Sequence, residues 1–406
     1  MKKYKYLILG AGPSGLAVAH RLLQSGLSTS DILVIEKNAE TGGLCKSQIV
    51  DGAPLDTGGG HFLDVKYERV LEFLFRFMPK EEWNKFDRIS KIRIHGQEID
   101  HPLEANLWQL PKDTQVEYLE SIAKAGCVSD EPIPDSFSDW IVWKLGNKIA
   151  AEYMLPYNKK IWSMDLDKLG VYWLHKLPNV SFREVLESCL YGKPQGQLPA
   201  HGTFLYPKNH GYGELWRLMG SALGDSLLLS TEVINIDLST GLVNGQWQAE
   251  TIINTIPWAH WENYCSLPEN ITTAISKLKN ISIDVEYNSN TLTSDAHWIY
   301  EPDENKSYHR QLLRSNFATG ARGHWTESNS SRTSGSKSET HFHNEYAYPV
   351  NTKDKPEAVA VILEWALENR IIGLGRWGKW EHMNSDIAVL EALQLADSLT
   401  SSEASI

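Results

Sequence analysis

The sequence predicts an α/β protein with a discontinuous Rossmann-type FAD-binding domain, a helical insertion and a mixed-sheet substrate domain. Three observations carry this. The run YLILGAGPSGLAVAHRLL, followed by ILVIEK, reads as strand, glycine turn, helix and second strand. Near the other terminus, IIGLGRWGKWEHMNSDIAVLEALQLAD reads as a strand ending in glycine, a loop and a capped helix. At 406 residues the chain exceeds one compact core and calls for two or three domains.

In the first unit, the strand Tyr4 to Leu9 leads into a turn where each glycine has a task. Gly10 permits the tight turn, Gly12 lets backbone approach a pyrophosphate, and Gly15 lets helix and strand pack closely. The helix start offers free N–H groups to phosphate anions. Glu36, with Lys37 after it, stands at the tip of the second strand (Ile32 to Ile35) to accept hydrogen bonds from a ribose hydroxyl. Beyond it lie Gly42, Gly43 and Leu44 in KNAETGGLCKS, then Gly58, Gly59, Gly60 and His61 in LDTGGGHF. A nicotinamide domain needs no glycines there. A flavin domain does, because the chain passes flat against the ribityl and ring portions. FAD is the expected cofactor.

The next stretch reads as helices: Tyr67 to Met78, Thr114 to Ala125, one capped by Ser138 that runs to Ile149 before Pro156 interrupts it, and one capped by Ser181. Gly213 opens an amphipathic helix, followed by short strands in LLLSTEVINID, LVNGQWQAE and TIINTIP. ISIDVEYN, HWIYEP and RQLLRSNF continue the strand character, and the serine-dense Asn329 to Glu339 is expected as a flexible loop. Pro356 fits the first turn of a helix to Asn369. RIIGLG is the last strand, and a helix capped by Asn384 or Ser385 runs to about Leu399. Its free amides and positive dipole end suit the electron-rich edge of a flavin. These elements assign three separate segments to the FAD-binding domain: amino-terminal (1–65), central (199–262) and carboxy-terminal (356–406). Between them fall a mainly helical insertion (66–198) and a sheet-rich substrate domain (263–355).

Composition narrows the partners. A formal charge of −12 argues against nucleic acid and offers no basic face to anionic lipid. Four dispersed cysteines without a CxxC pair predict a reduced, cytoplasmic setting with neither disulfide frame nor zinc site. No apolar run reaches membrane-span length, and a strand beginning at Tyr4 leaves no room for a signal peptide. His341 and His343 form an HxH pair without a third ligand at useful spacing, and are expected to face solvent with no metal. The fifteen tryptophans are mostly core residues and are compatible with a homodimer.

Several segments together resemble the UDP-galactopyranose mutase family, its eukaryotic branch above all, within the FAD-binding group of amine oxidases and protoporphyrinogen oxidases. The amino-terminal fingerprint, GGLCKS and GGGHF are shared by the whole group. More selective are LPYNKKIW (Leu155 to Trp162, similar to PYNxKVW), YPKNHGYGELW (Tyr206 to Trp216), YHRQLLRSNF (Tyr308 to Phe317), EYAYPVN (Glu345 to Asn351) and GRWGKWEHMNSD (Gly375 to Asp386). Their order spans nearly the whole chain.

The resemblance implies roles for residues at matching positions. Arg310 would hold a substrate pyrophosphate, a task suited to a guanidinium fork, with Tyr300 and Tyr348 donating to the same phosphates. Asn158 and Trp162 would line the uridine and sugar region. His61 would lie against the flavin ring, and Arg376, with Gly375 before it, near flavin and sugar; Val233 would pack on the adenine end. Two departures stand out. Leu177, in YWLHKLP, occupies the place of the family's second phosphate-binding arginine, with Lys176 and His175 as neighbouring cations. The family's GGTG reads HGYG, placing His210 and Tyr212 near the expected flavin. Three readings follow. One is a mutase acting on a UDP-sugar, in which FAD, first reduced by NADH or NADPH, attacks the anomeric carbon through N5 without net oxidation. Another is an oxidase or dehydrogenase taking hydride from an amine or porphyrinogen-like substrate. The third is an inactive FAD-binding relative, favoured if His210 and Tyr212 block the ring.

Overall fold

The computed structural model describes residues 2–174, 180–196, 202–333 and 340–403. Lys2–Leu9 forms the first strand, Pro13–Gln24 the first helix and Ile32–Ile35 the second strand. Leu7 to Leu9 and all of Ile32–Ile35 are buried, the unbroken apolar run of a strand covered on both faces. Lys2–Leu9 pairs in parallel with Ile32–Ile35 on one side and with Trp247–Asn254 on the other. Ile371–Gly373 joins Trp247–Asn254, again in parallel, and Leu227–Leu228 extends the far side. One sheet is thus drawn from both ends of the chain and from its middle, as a discontinuous Rossmann-type domain requires.

Strand alternation divides the core. Tyr6 and Ile8 belong to the apolar cluster that includes Leu16 and Leu22 of the first helix and Val389 and Leu393 of the last, Ser385–Glu403. Leu7 and Leu9 pack in a second cluster with Ile271 and Ile275 of Glu269–Lys277, and Ala358 and Ile362 of Lys355–Glu368. Each fully buried leucine or isoleucine contributes about 1.5–3 kcal/mol. The carboxy-terminal helix is therefore structural before it is functional.

A second seven-stranded sheet runs in the order His341–Pro349, Asn280–Asn288, His324–Asn329, Arg310–Leu312, Trp298–Tyr300, Ser90–Ile94 and Gln97–Asp100. All its pairs are antiparallel except Trp298–Tyr300 with Ser90–Ile94. Within 66–198, three strands that the sequence reading did not foresee, Trp83–Asp87, Ser90–Ile94 and Gln97–Asp100, join sheets with residues far along the chain. Their alternating burial is a strand signal, weakened by the polar residues on their open faces.

The helical stretch also differs in detail. Ser136, not Ser138, caps Phe137–Ile149 by accepting from the Asp139 N–H, while the Ser138 hydroxyl donates to Asp167. Pro156 does not end the run. A π-turn at Ala150–Met154 absorbs the missing hydrogen bond, and Pro156 sits in the first turn of Leu155–Trp162. Ser181 does cap Phe182–Tyr191, with a reciprocal bond from Glu184. Of the serine-dense segment, Asn329 ends a strand and Ser330–Arg332 forms a 3₁₀ turn; residues 334–339 lie outside the described residues. His341 and His343 are not simply solvent-facing, because both approach Oδ1 of the buried Asp284, at 3.2 and 2.8 Å.

Candidate functional site

The amino-terminal helix begins at Gly12 with no side-chain cap and no acid in its first turn, so its leading amides remain open. Gly10 makes room for this turn with φ +97°; a Cβ there would lie 2.7 Å from Thr255 Oγ1. A Cβ on Gly15 would lie 2.0 Å from the Gly10 carbonyl oxygen, so helix and turn can be this close only without a side chain. The carboxy-terminal helix starts with Ser385, and Asn384 precedes it. Both helix starts border one cavity of about 370 Å³. Two positive dipole ends aimed into one space favour an anionic, elongated occupant.

Eleven residues singled out in the sequence line this cavity: Gly10, Gly12, Glu36, Lys37, Gly43, Leu44, His61, Val233, Arg376, Asn384 and Ser385. Gly15, Gly42, Gly60 and Gly375 lie behind the lining as close-approach positions; a Cβ on Gly375 would meet Ser14 Oγ at 2.0 Å. Sequence reasoning missed Thr231, Thr255, His260, Tyr264, Tyr346 and Trp377, which also line it. Tyr346 and Trp377 fall inside the quoted segments EYAYPVN and GRWGKWEHMNSD, which gave them no role of their own, whereas His260 and Tyr264 carry no motif. Glu36 accepts the Ala11 N–H through Oε2 at 2.9 Å and the Asn38 N–H through Oε1 at 2.9 Å, pinning the first turn against the second strand.

At the other end stand His61 and Arg376. Burial, with Arg376 nearby, pushes the His61 imidazole down to about 3, so it is neutral at any working pH. Its Nδ1 pairs with the Gly59 carbonyl at 2.8 Å. Arg376 donates to the Met383 carbonyl at 2.7 Å and to the Ala347 carbonyl at 2.8 Å, and stacks over Tyr348 at 5.2 Å. Among the described residues no carboxylate pairs with it, and burial lowers its pKa from the usual guanidinium range. A half-buried cation held by carbonyls leaves the cavity wall in need of negative charge.

The proposed substrate residues lie beside this cavity rather than in its lining. Arg310 and Tyr300 are direct cross-strand partners, as are Arg310 and Glu327, so the three share one sheet face. Arg310 donates to Glu327 Oε2 from Nε at 2.9 Å and from Nη2 at 2.5 Å, leaving Nη1 without a protein acceptor among the described residues. Burial opposes its charge most strongly, but Glu327 together with Tyr348, Tyr300 and Tyr157 raises its pKa overall. Tyr300 accepts from Trp298 Nε1 at 3.0 Å and Arg88 at 3.3 Å. Asn158 and Trp162 bond each other, indole N–H to Oδ1 at 3.1 Å, one helical turn apart. Leu177, Lys176 and His175 lie outside the described residues. His210 is exposed, and Tyr212 is buried in the core with its hydroxyl 2.6 Å from Ser385 Oγ; neither lines the cavity.

Near His61, Asp56 is fully buried. It accepts from Ser47 at 2.5 Å, Tyr206 at 3.1 Å and the Tyr212 N–H at 3.2 Å, all through Oδ1, while Oδ2 has no partner among the described residues. Burial raises its pKa from 3.8 to about 7 against those hydrogen bonds. The folded state therefore holds the proton more tightly than the unfolded chain. The stability this group contributes is fully present below pH 3.8 and is lost as pH rises through about 7. Asp56→Asn is expected to flatten the fall in unfolding midpoint across the interval from about pH 4 to about pH 7, measured by thermal melts. An unchanged slope would remove Asp56 as its source.

Residues 8–77 match the family of NAD(P)-binding Rossmann-like domains. A UDP-galactopyranose mutase of Mycoplasma pneumoniae is 29% identical over 107 residues, 26% of this chain; the chain spans only 24% of that relative's length. An uncharacterized protein from the nifH2 3′ region of Methanothermococcus thermolithotrophicus is 31% identical over 102 residues, 23% of this chain and 96% of its own, and the two belong to one family. Among solved structures, reduced UDP-galactopyranose mutase superimposes with TM-score 0.86 at 20% identity, covering 98% of this chain and 93% of that one. Cyclohexylamine oxidase of Brevibacterium oxydans gives 0.67 at 13% identity, with 98% and 99% covered. An Exiguobacterium protein named for protoporphyrinogen oxidase gives 0.71 at 13%, with 98% of each chain covered. From end to end, the chain carries the UDP-galactopyranose mutase-like fold that it shares with the amine oxidase and protoporphyrinogen oxidase group.

Proposed function

We propose that the protein is an FAD-dependent enzyme of the UDP-galactopyranose mutase type, acting on a nucleotide sugar. The observation that carries the reading is Arg310, a guanidinium held rigidly by Glu327 with one donor edge free, on the same sheet face as Tyr300. A fixed, half-satisfied fork suits a diphosphate, whereas amine or porphyrinogen oxidation has no use for it. The cavity fits FAD. Its glycine turn admits a pyrophosphate, two helix starts face it, and half-buried Arg376 offers positive charge.

Reduced flavin supplies the nucleophile in this type of chemistry. The chain's own residues bind and orient. Arg310 and the hydroxyls of Tyr300 and Tyr348 would steady the departing diphosphate, which keeps the anomeric carbon within reach and stabilises developing negative charge. Neutral His61 would shape the ring pocket and act as a hydrogen-bond partner, not as an imidazolium. Tyr212 lies in the core and His210 outside the lining, so neither argues for an inactive relative. A cytoplasmic setting, a nicotinamide reductant and a homodimer belong to the same proposal. All four cysteines are unpaired, and no described helix is long and apolar enough to cross a membrane.

The test is titration of the dithionite-reduced protein with UDP and UDP-galactose while following the flavin spectrum. Saturable spectral change with both supports the reading. Flavin present but silent to both, with turnover of an amine, would replace it with the oxidase alternative.

A further inference from the structure

Glu327 carries no sequence signal, yet it is fully buried between two functional segments. Its two oxygens divide their work. Oε2 takes both donors of Arg310, while Oε1 accepts the Gly60 N–H at 2.7 Å and faces the Trp325 indole N–H at 3.4 Å. Oε1 would also lie only 2.9 Å from a Cβ on Gly59, so the loop can approach the carboxylate only as glycine. Gly59 in turn fixes the His61 ring through its carbonyl. Two other titratable groups lie within reach: His309, whose Nε2 is 3.9 Å from Oε2 and whose pKa burial, with Arg310 and Lys160, lowers well below the ordinary range, and Tyr157, whose phenol burial and nearby charges, Glu327 among them, hold well above its ordinary range.

We propose that Glu327 is a positioning residue that couples anion binding at Arg310 to the cofactor-facing segment Gly59–His61. A diphosphate drawing on the free edge of Arg310 shares the charge that Glu327 alone now satisfies. The arginine–carboxylate bond weakens, and the same carboxylate adjusts its hold on the Gly60 amide, beside the ring pocket. Occupancy of the phosphate site is thereby felt at the flavin. The proposal rests on the nucleotide-sugar reading for its ligand, but not for the carboxylate bridge itself.

The experiment uses the full-length holoprotein and the isosteric Glu327→Gln variant, which keeps one oxygen acceptor but loses the charge. UDP is titrated into the oxidised flavoprotein, reading both Kd and the flavin difference spectrum at saturation. The variant is expected to retain FAD, to bind UDP about tenfold more tightly because the competing carboxylate charge is gone, and to lose most of the UDP-induced difference spectrum. Unchanged Kd with a full difference spectrum overturns the proposal and leaves Glu327 a structural anchor. If Glu327→Gln does not fold, Glu327→Asp replaces it: its charge still reaches Arg310 but not Gly60, so binding should survive while the spectral response disappears. A wild-type protein that ignores UDP counts against the nucleotide-sugar reading. Inorganic pyrophosphate then serves as the probe with the same two readouts, and absence of any flavin response to it also overturns the coupling.

Discussion

Arg310→Ala is expected to weaken UDP binding about 100-fold, the loss of two charge-assisted hydrogen bonds, while FAD content stays at the wild-type level. The substitution has a second consequence. Glu327, with its side chain 1% exposed, is stranded as an unpaired buried charge, which costs about 3–5 kcal/mol of stability. Arg310→Lys separates the two effects. A lysine keeps the positive charge near Glu327 and spares most of the fold, but lacks the planar fork that a diphosphate needs. Lys should therefore melt near the wild type yet bind UDP almost as poorly as Ala. Calorimetric titration with UDP and thermal unfolding decide it. An alanine variant that folds and binds UDP within about threefold of wild type would end the phosphate role of Arg310.

Gly15→Ala carries the other large effect, on cofactor rather than substrate. Its Cβ would stand 2.0 Å from the Gly10 carbonyl oxygen, and that oxygen belongs to backbone that cannot swing aside. Helix Pro13–Gln24 must shift, taking its leading amides out of line with the cavity. Overpacking of this kind costs about 3 kcal/mol, equivalent to roughly 100-fold in FAD affinity. The purified variant is expected to be nearly colourless and to take up FAD poorly, read by absorbance near the flavin bands. Gly202→Ala is the control, because a Cβ there meets nothing within 4 Å. Equal flavin content in both variants would refute the packing argument.

The contrast between Arg310 and Gly15 shows where the sequence is legible. Gly15 is readable because the whole unit is local: strand, turn, helix and second strand all lie between Lys2 and Ile35, and their spacing repeats the geometry of one pyrophosphate site. The carboxy-terminal helix is readable for the same reason, by its strand, glycine and cap. The strands inside the mainly helical 66–198 stretch are not readable, because Trp83–Asp87 and Ser90–Ile94 pair with Thr203–Pro207 and Trp298–Tyr300, partners beyond the reach of any sequence window. Ser138 and Ser136 are equally good caps on paper. Which one caps depends on Asp167, which takes the Ser138 hydroxyl from a segment 29 residues away.

Periodicity, glycine spacing and helix caps are enough to specify the α/β class, the dinucleotide turn and most of the cavity's glycines, because these obey steric rules acting over a few residues. Glu327 carries no motif, and neither do His260 or Tyr264. Their positions follow from strand register and from how loops converge after the sheets assemble. Cross-strand pairing alone sets Glu327 opposite Arg310 and beside Gly60, joining residues separated by 17 and 267 positions. Long-range contacts of that kind are settled by packing as a whole, and no local pattern of residues encodes them.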